Sequence, residues 1–139
     1  MRAVDQPRTV GDLMTDGPVI ASIDLSLADA AELMEFYRVS GLPVVDRDGC
    51  LVGVISQTDL LHARTTEALW QAWPGLSVRH VMTHPAVTVT AEVGLDEVAR
   101  LMDERRIHRV VVTAADGETP IGVLSVSDLV RTMADRDES

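Results

Sequence analysis

The stretch GVLSVSDL, at residues 122–129, has an earlier copy, GVISQTDL, at residues 53–60. In each copy a short run of apolar and β-branched residues leads into hydroxyl side chains and an aspartate, and an apolar helical pattern then begins. The pattern predicts a strand that delivers Ser125 and Asp128, or Ser56 and Asp59, to the start of a helix. A helix start favours phosphate or another anion, because its backbone N–H groups are unpaired and carry partial positive charge.

The same residues are also typical of a capping box, in which a Ser or Thr and an acidic residue three positions later bind each other's backbone N–H groups. One copy alone would indicate such a cap. Two copies in register favour a ligand, because a carboxylate can accept the two hydroxyls of a ribose and Ser or Thr hydroxyls can bind phosphate oxygens. Both interpretations remain open from the sequence.

The match between the two halves extends far beyond this stretch. The MT pair at residues 14–15 recurs 68 residues later at 82–83, and the match continues without a gap through the LM pairs at 33–34 and 101–102. One inserted residue near Pro120 changes the spacing to 69 for the opening stretch. A single long repeat, without the many copies of a solenoid, predicts two similar units packed about a pseudo-two-fold axis.

Each repeat predicts the order β-α-β-β-α, which is an α+β fold. Residues 19–23 and 87–90 are typical of short strands, and a helix capped by Ser26 with Asp29 follows the first of them. Buried strands are predicted at 42–46 and 107–113. The predicted divisions are a flexible N-terminal arm (1–9), a first repeat (10–62), a helical connector (63–77), a second repeat (78–133) and a C-terminal tail (134–139).

The connector carries both tryptophans of the chain. Residues 62–73 read as a continuation of the first closing helix, which Pro74 and Gly75 would end. Trp70 and Trp73 are three residues apart and therefore share a helical face. They either cover the core or form an exposed patch for a second subunit.

Composition excludes several classes of function. The net charge of −10 argues against nucleic-acid binding, which needs a basic stripe, and against an anionic membrane surface. The single Cys50 excludes an internal disulfide and a cysteine-cluster metal site within these residues. No charged-then-apolar leader opens the sequence and no apolar run has the length of a membrane span, so we expect a cytoplasmic protein.

Neither a metal site nor a catalytic centre is predicted. His80 and His84 have a spacing that can chelate a metal on a helix, but Pro85 would end any helix there. The sequence contains no Gly-x-Ser-x-Gly motif and no Cys–His or carboxylate constellation of known spacing. We therefore predict a protein that is not an enzyme and requires no cofactor.

The doubled motifs resemble a tandem cystathionine-β-synthase-type (CBS) domain pair, or Bateman module. The matching runs are VGDLMT at 10–15 and VRHVMT at 78–83, VSGLPVVD at 39–46, IHRVVV at 107–112, and the two copies of the opening stretch. The resemblance covers residues 10–133, nearly the whole chain. The second repeat is especially similar to the last CBS repeat of the regulatory gamma subunit of AMP-activated protein kinase.

The resemblance implies regulatory binding of AMP, ADP, ATP, S-adenosylmethionine or another adenosyl ligand in two clefts between the repeats. Asp128 and Asp59 would hold the ribose hydroxyls, and His108 and Arg109 would supply positive charge for phosphate. The first repeat has Ser and Gly where the second has this His and Arg, so we expect unequal affinities. The implied residues are Thr15, Ile20, Ser40, Gly41, Ser125, Ser127 and Asp128 in cleft 1, and Ser56, Thr58, Asp59, Thr83, Val87, His108 and Arg109 in cleft 2.

Structural roles compete with these assignments. His108 can be a structural histidine, and Arg109 can pair with Asp103 or Glu104 instead of a phosphate. The sequence leaves two functions open. In the first, the protein is a stand-alone sensor, expected as a homodimer, that passes ligand binding on to a client protein. In the second, it is a ligand-free interaction or structural module that acts through its dimer or connector surfaces.

Overall fold

The structure, a computed structural model, describes residues 7–136 as a mixture of helices and strands, which confirms the α+β class. Residues 1–6 of the predicted arm and residues 137–139 of the predicted tail lie outside the described range. The elements in chain order are α1 Val10–Leu13, β1 Thr15–Asp16, β2 Ala21–Ser22, α2 Leu27–Tyr37, β3 Gly41–Val45, β4 Leu51–Ser56, α3 Gln57–Thr65, α4 Glu67–Gln71, two 3₁₀ turns at Trp73–Gly75 and Val78–His80, β5 Thr88–Thr90, α5 Leu95–Arg105, β6 Arg109–Thr113, β7 Pro120–Ser125 and α6 Val126–Arg136.

The chain forms two compact units. The terminal unit joins the residues up to Gly17 with those from Val87 onward, and the central unit is Pro18–Ala86. The terminal unit has a four-stranded sheet in the order β1-β7-β6-β5, and the central unit has a three-stranded sheet in the order β2-β3-β4. In each sheet an antiparallel hairpin pairs on one side with a parallel strand that precedes the long helix.

The segments that lead into the repeats pack with the opposite repeat. Strand β1 pairs antiparallel with β7, with Thr15 opposite Val123. At the equivalent place in the central unit, Thr83 bridges Val54, and their backbone N–H groups donate to each other's carbonyls at 2.8 and 2.9 Å. The compact units therefore do not follow the boundaries of the sequence repeats.

Each unit has its own apolar core, built from one face of the long helix against the strands. In the central unit Leu27, Ala30 and Met34 of α2 lie in one buried cluster with strand residues such as Leu42 and Ile55. The terminal unit repeats the arrangement with α5, β6 and β7. The helical spacing of apolar residues in the sequence produces this face. Removal of these side chains from water is the main favourable contribution to the stability of each unit.

Helix ends follow local sequence signals. Ser26 caps α2 as predicted, because its hydroxyl accepts the backbone N–H of Asp29 at 3.0 Å. Helices α2 and α5 both end at an arginine in the left-handed conformation, Arg38 and Arg106, each with φ of 56°. Helix α6 runs to Arg136, across the boundary predicted at 133 between the second repeat and the tail, since neither glycine nor proline interrupts residues 134–136.

The predicted continuous helix over residues 62–73 is wrong. Helix α3 ends and α4 begins at Thr66, whose backbone is extended with φ of −93° and ψ of 113°. Two consecutive threonines weaken a helix here, and the hydroxyl of Thr65 donates to the carbonyl of His62 at 3.1 Å.

The two tryptophans differ in their contact with the core. Trp73 packs against the apolar core of the central unit. Trp70 is 41% exposed and contacts Trp73 with 5.1 Å between ring centroids. The guanidinium carbon of Arg64 lies 4.2 Å from the Trp70 ring centroid, within the range of a cation–π contact.

Gly53 is required by the close approach of Thr83. A Cβ added at Gly53 would lie 2.7 Å from the backbone carbonyl oxygen of Thr83, which cannot move without breaking its bridge to Val54. We expect Gly53→Ala to lower the free energy of unfolding by about 1–3 kcal/mol, the usual cost of overpacking. Gly75→Ala is the control, because nothing lies within 4 Å of a Cβ there. Equal urea midpoints for the two variants would contradict this account of the bridge.

Asp24 connects two distant parts of the central unit, because it forms ion pairs with Arg79 and Arg47. The hydrogen bond from Arg79, and then that from Arg47, holds the pKa of Asp24 below its ordinary value. A lowered folded-state pKa stabilises the protein above the unfolded pKa, and this contribution disappears as the pH falls through the folded value.

We therefore expect Asp24→Asn to reduce the stability slightly at neutral pH, since both pairs are exposed to water. The difference from the wild type should vanish once the pH is below the lowered pKa of Asp24. Urea unfolding as a function of pH measures both effects, and Asp48→Asn provides a control with the same change of charge. A difference that persists in strong acid would show that the ion pairs are not its cause.

Candidate ligand-binding site

The two copies of the opening stretch form equivalent strand-to-helix junctions. At the central junction Ser56 ends β4 and Asp59 lies in the first turn of α3. At the terminal junction Ser125 ends β7 and Asp128 lies in the first turn of α6. This confirms the predicted strand that delivers hydroxyls and a carboxylate to a helix start.

Both junctions contain the capping box. The backbone N–H of Asp59 donates to the Ser56 hydroxyl at 3.1 Å, and the backbone N–H of Ser56 donates to the Asp59 carboxylate at 2.9 Å. The corresponding distances between Asp128 and Ser125 are 3.2 and 2.9 Å. A carboxylate oxygen has two lone pairs, so these bonds leave acceptor capacity on each aspartate. Capping and ligand binding are therefore compatible at the same residue.

The residues at the starts of β3 and β6 flank these junctions. The backbone N–H of Val126 donates to the carbonyl of His108 at 2.8 Å, and Arg109 lies opposite Ser125 in the β6–β7 ladder. In the central unit the backbone N–H of Gln57 donates to the backbone carbonyl of Ser40 at 2.9 Å, and Gly41 lies opposite Ser56. The predicted phosphate-facing pair thus lies beside the terminal junction, and its Ser–Gly counterpart lies beside the central one.

The lead-in segments also reach the junctions. The hydroxyl of Thr83 donates to Oδ1 of Asp59 at 3.1 Å. Thr15 pairs with Val123, two residues before Ser125. Both threonine side chains are exposed. The central lead-in segment is thereby held beside Asp59, and the terminal one lies along β7 two residues before the end of that strand.

The predicted site residues divide equally between the two units. Each predicted cleft combines residues of both units, so these groupings stay predictions. The terminal unit contains Thr15, Val87, His108, Arg109, Ser125, Ser127 and Asp128, and the central unit contains Ile20, Ser40, Gly41, Ser56, Thr58, Asp59 and Thr83.

Exposure differs among these residues. Ile20 is 44% exposed and His108, Thr58 and Ser127 are exposed, which leaves their side chains accessible to a ligand. Val87, in contrast, packs against the core of the terminal unit.

Arg131 is a charged neighbour of the site that the sequence analysis did not identify. Its Nη1 lies 3.3 Å from Oδ1 of Asp128. The available signal was the spacing of three residues on a helix, which places two side chains on the same face. An i, i+3 pair of opposite charges is common on any exposed helix, so this spacing alone does not indicate a ligand site.

Metal ligation has no support within residues 7–136, where the structure shows no group of three or more His, Cys, Asp or Glu side chains suited to a metal ion. The ring of His80 has a local structural role, since its Nδ1 accepts the backbone N–H of Ser77 at 3.0 Å. No helix in this range is long and apolar enough to cross a bilayer.

The capping role of Ser125 separates it from its neighbour Ser127. We expect Ser125→Ala to lower the free energy of unfolding by about 1 kcal/mol, because the backbone N–H of Asp128 loses its acceptor. Ser127→Ala, at an exposed position on the same helix turn, should leave the stability unchanged. Thermal unfolding of both variants tests the difference, and a larger loss for Ser127→Ala would contradict the capping assignment.

Comparison with known proteins identifies the family of these repeats. The family model of the CBS domain matches residues 10–65 and 78–135. Inosine-5′-monophosphate dehydrogenase of Bifidobacterium longum is 29% identical over 126 residues, which are 90% of this chain but only 22% of the dehydrogenase. The chloroplastic CBS domain-containing protein CBSX2 of Arabidopsis thaliana is 31% identical, and the match covers 88% of this chain and 62% of that protein. The chain thus spans between about a fifth and three fifths of these relatives.

Solved structures agree with this match. A crystal structure of CBSX2 in complex with AMP superimposes with a TM-score of 0.80 at 33% identity, covering 94% of this chain and 99% of that one. The CBS domain pair of protein MJ0100, solved with 5′-methylthioadenosine and S-adenosylmethionine, gives a TM-score of 0.81 at 26% identity with the same coverage. The doubled β-α-β-β-α order, the two capped junctions and these matches together show that the chain belongs to the CBS-domain family and is a tandem CBS pair.

Proposed function

We propose that this CBS pair is a regulatory sensor that binds an adenine nucleotide or another adenosyl ligand at its strand-to-helix junctions. The observation that carries the proposal is that each cap uses Oδ2 of the aspartate, which leaves Oδ1 beside a helix start with a side-chain partner that a ligand can replace. Two similar proteins were solved with such ligands, AMP in one and 5′-methylthioadenosine with S-adenosylmethionine in the other. Both features favour the sensor over a purely structural module.

The proposed chemistry uses groups that the junctions already position. The ribose hydroxyls donate to Asp128 or Asp59, and backbone N–H groups at the helix start attract phosphate. Ser127 and Thr58 are exposed on the first helical turn and can bind phosphate or ribose oxygens. His108 adds a second polar group beside the terminal junction.

The two junctions should differ in affinity. The terminal junction has a histidine and an arginine where the central junction has Ser40 and Gly41. Phosphate binding depends strongly on guanidinium contacts, because these are charge-assisted and can be bidentate. We propose that an anionic nucleotide prefers the site that this histidine and arginine serve. The predicted grouping places them in cleft 2 with Asp59, and that grouping stays a prediction.

Regulation requires that the ligand change an equilibrium with a partner. A ligand can do so only if its affinity for the partner-bound state differs from its affinity for the partner-free state. We propose a homodimer and a client protein as those partners, in the cytoplasm. Exposed apolar side chains on the helices, such as Phe36, Leu61, Val130 and Met133, offer surfaces for such contacts.

The alternative function, a ligand-free interaction module, is favoured by one specific surface. Phe36 is 78% exposed and Tyr37 is 50% exposed, and their rings form an edge-to-face pair at the end of α2. A shallow groove of about 810 Å³ beside them is lined by apolar side chains and by Asp29, Glu32 and Glu35. The equivalent helix α5 has Glu104 in place of Phe36, so the fold itself does not require this aromatic residue.

An enzymatic function has the least support. The match to the dehydrogenase covers 22% of that protein, and the sequence of this chain contains no catalytic motif that we could identify. We therefore propose that any catalytic activity that this module regulates belongs to the client protein.

Isothermal titration with AMP, ADP, ATP and S-adenosylmethionine tests the sensor. We expect saturable binding of at least one ligand, and we expect Asp128→Ala to abolish the site that uses this aspartate because the ribose hydroxyls lose their acceptor. Asp59→Ala should abolish only the site that uses Asp59. Asp48→Ala changes the net charge equally at an exposed position in the turn between β3 and β4 and is the control.

The capping role of both aspartates requires a second readout. Asp128→Asn retains an acceptor oxygen for the cap, and melting temperatures show which variants are folded. Turnover of the nucleotide during the titration would favour the enzymatic alternative instead. If no ligand gives a heat of binding or raises the melting temperature of the wild type, the sensor hypothesis is wrong for these compounds. The interaction module then becomes the better explanation.

A further inference from the structure

The two aspartates differ in what binds their second carboxylate oxygen. Oδ2 of each accepts the backbone N–H of its own capping serine at 2.9 Å. Oδ1 of Asp59 accepts the neutral hydroxyl of Thr83 at 3.1 Å, whereas Oδ1 of Asp128 lies 3.3 Å from the guanidinium of Arg131. The junctions therefore differ by a full positive charge at the oxygen that a ribose hydroxyl would approach.

Arg131 can readily exchange its contact with Asp128 for a contact with a ligand. The side chain of Arg131 is 66% exposed and that of Asp128 is 16% exposed. Such a pair contributes little to stability, because water screens the arginine and the long side chain loses entropy when it is fixed. A phosphate group offers the guanidinium two parallel hydrogen bonds and a larger negative charge, so it competes well with a single carboxylate contact.

The central junction has no guanidinium at the matching positions. His62 stands 69 residues before Arg131, and its Nε2 lies 3.4 Å from the hydroxyl of Thr66. Gly41 stands 68 residues before Arg109. The repeats thus provide an internal comparison in which the backbone is the same and the charge beside the aspartate is not.

We propose that Arg131 determines specificity by making the terminal junction select adenosine ligands that carry a 5′ phosphate. The ribose hydroxyls displace Arg131 from Oδ1 of Asp128, and the released guanidinium binds the phosphate of the same ligand. Adenosine displaces Arg131 equally but gives the guanidinium no new partner. The inference rests on the proposed function and adds to it the ligand class of one junction.

Titration of the full chain with AMP and with adenosine tests the role of Arg131. We expect Arg131→Gln to weaken AMP binding roughly tenfold or more, the loss expected when a hydrogen bond to a charged group is removed. Adenosine binding should become slightly tighter, because adenosine no longer has to displace an ion pair of small stability, so the ratio of the two affinities falls. His62→Gln, the matched change in the central unit, should leave the ratio as in the wild type. Arg131→Lys, which keeps the charge but not the planar fork, should give an intermediate ratio.

The outcomes separate the inference from the function on which it rests. An unchanged ratio in Arg131→Gln, with AMP binding still lost in Asp128→Ala, overturns the inference and leaves the sensor intact. An equal fall of the ratio in His62→Gln also overturns it, because general electrostatics would then be the cause. If the wild type binds neither AMP nor adenosine, the proposed sensing of these ligands is wrong and the inference fails with it. Melting temperatures near that of the wild type show that the exposed substitutions leave the chain folded.

Discussion

One reciprocal pair of hydrogen bonds, between a serine that ends a strand and an aspartate in the next helical turn, determines how each half of the protein is arranged. The pair satisfies backbone N–H groups that a helix start would otherwise leave without partners. It also fixes the direction in which α3 and α6 leave their sheets. The same bonds hold a carboxylate at a defined place beside the positive end of a helix. Structure and proposed function therefore depend on the same two side chains, Asp59 and Asp128.

This double use has an energetic consequence for binding. A carboxylate that is already ordered by a cap loses little further entropy when it accepts a ribose hydroxyl. The cost lies in the second oxygen, which must exchange its present partner for the ligand. For Asp59 that partner is the hydroxyl of Thr83, and for Asp128 it is the charged group of Arg131. Two sites of nearly identical backbone can thus differ in ligand preference because Oδ1 of each aspartate has a different partner.

Local features of this fold could be predicted from the sequence, while features that depend on distant residues could not. The strand-to-helix junctions, the cap at Ser26 and the α+β class follow from patterns only a few residues long. The break at Thr66 was missed because a helical pattern of apolar residues continues across it, and the backbone preference of two threonines outweighs that pattern. The contact of Arg131 with Asp128 was missed because spacing alone does not distinguish it from ordinary surface pairs.

The placement of the lead-in segments shows most clearly where local reasoning fails. No short pattern indicates that Thr15 pairs with a strand more than a hundred residues later, because strand register is set by packing and not by propensity. Val10, which is fully buried, lies in the core formed by residues from Val87 onward. A repeat cut out at its sequence boundaries would therefore lack part of its own core and an edge strand. Each compact unit thus takes a segment from the opposite sequence repeat, although each repeat contains a complete β-α-β-β-α order.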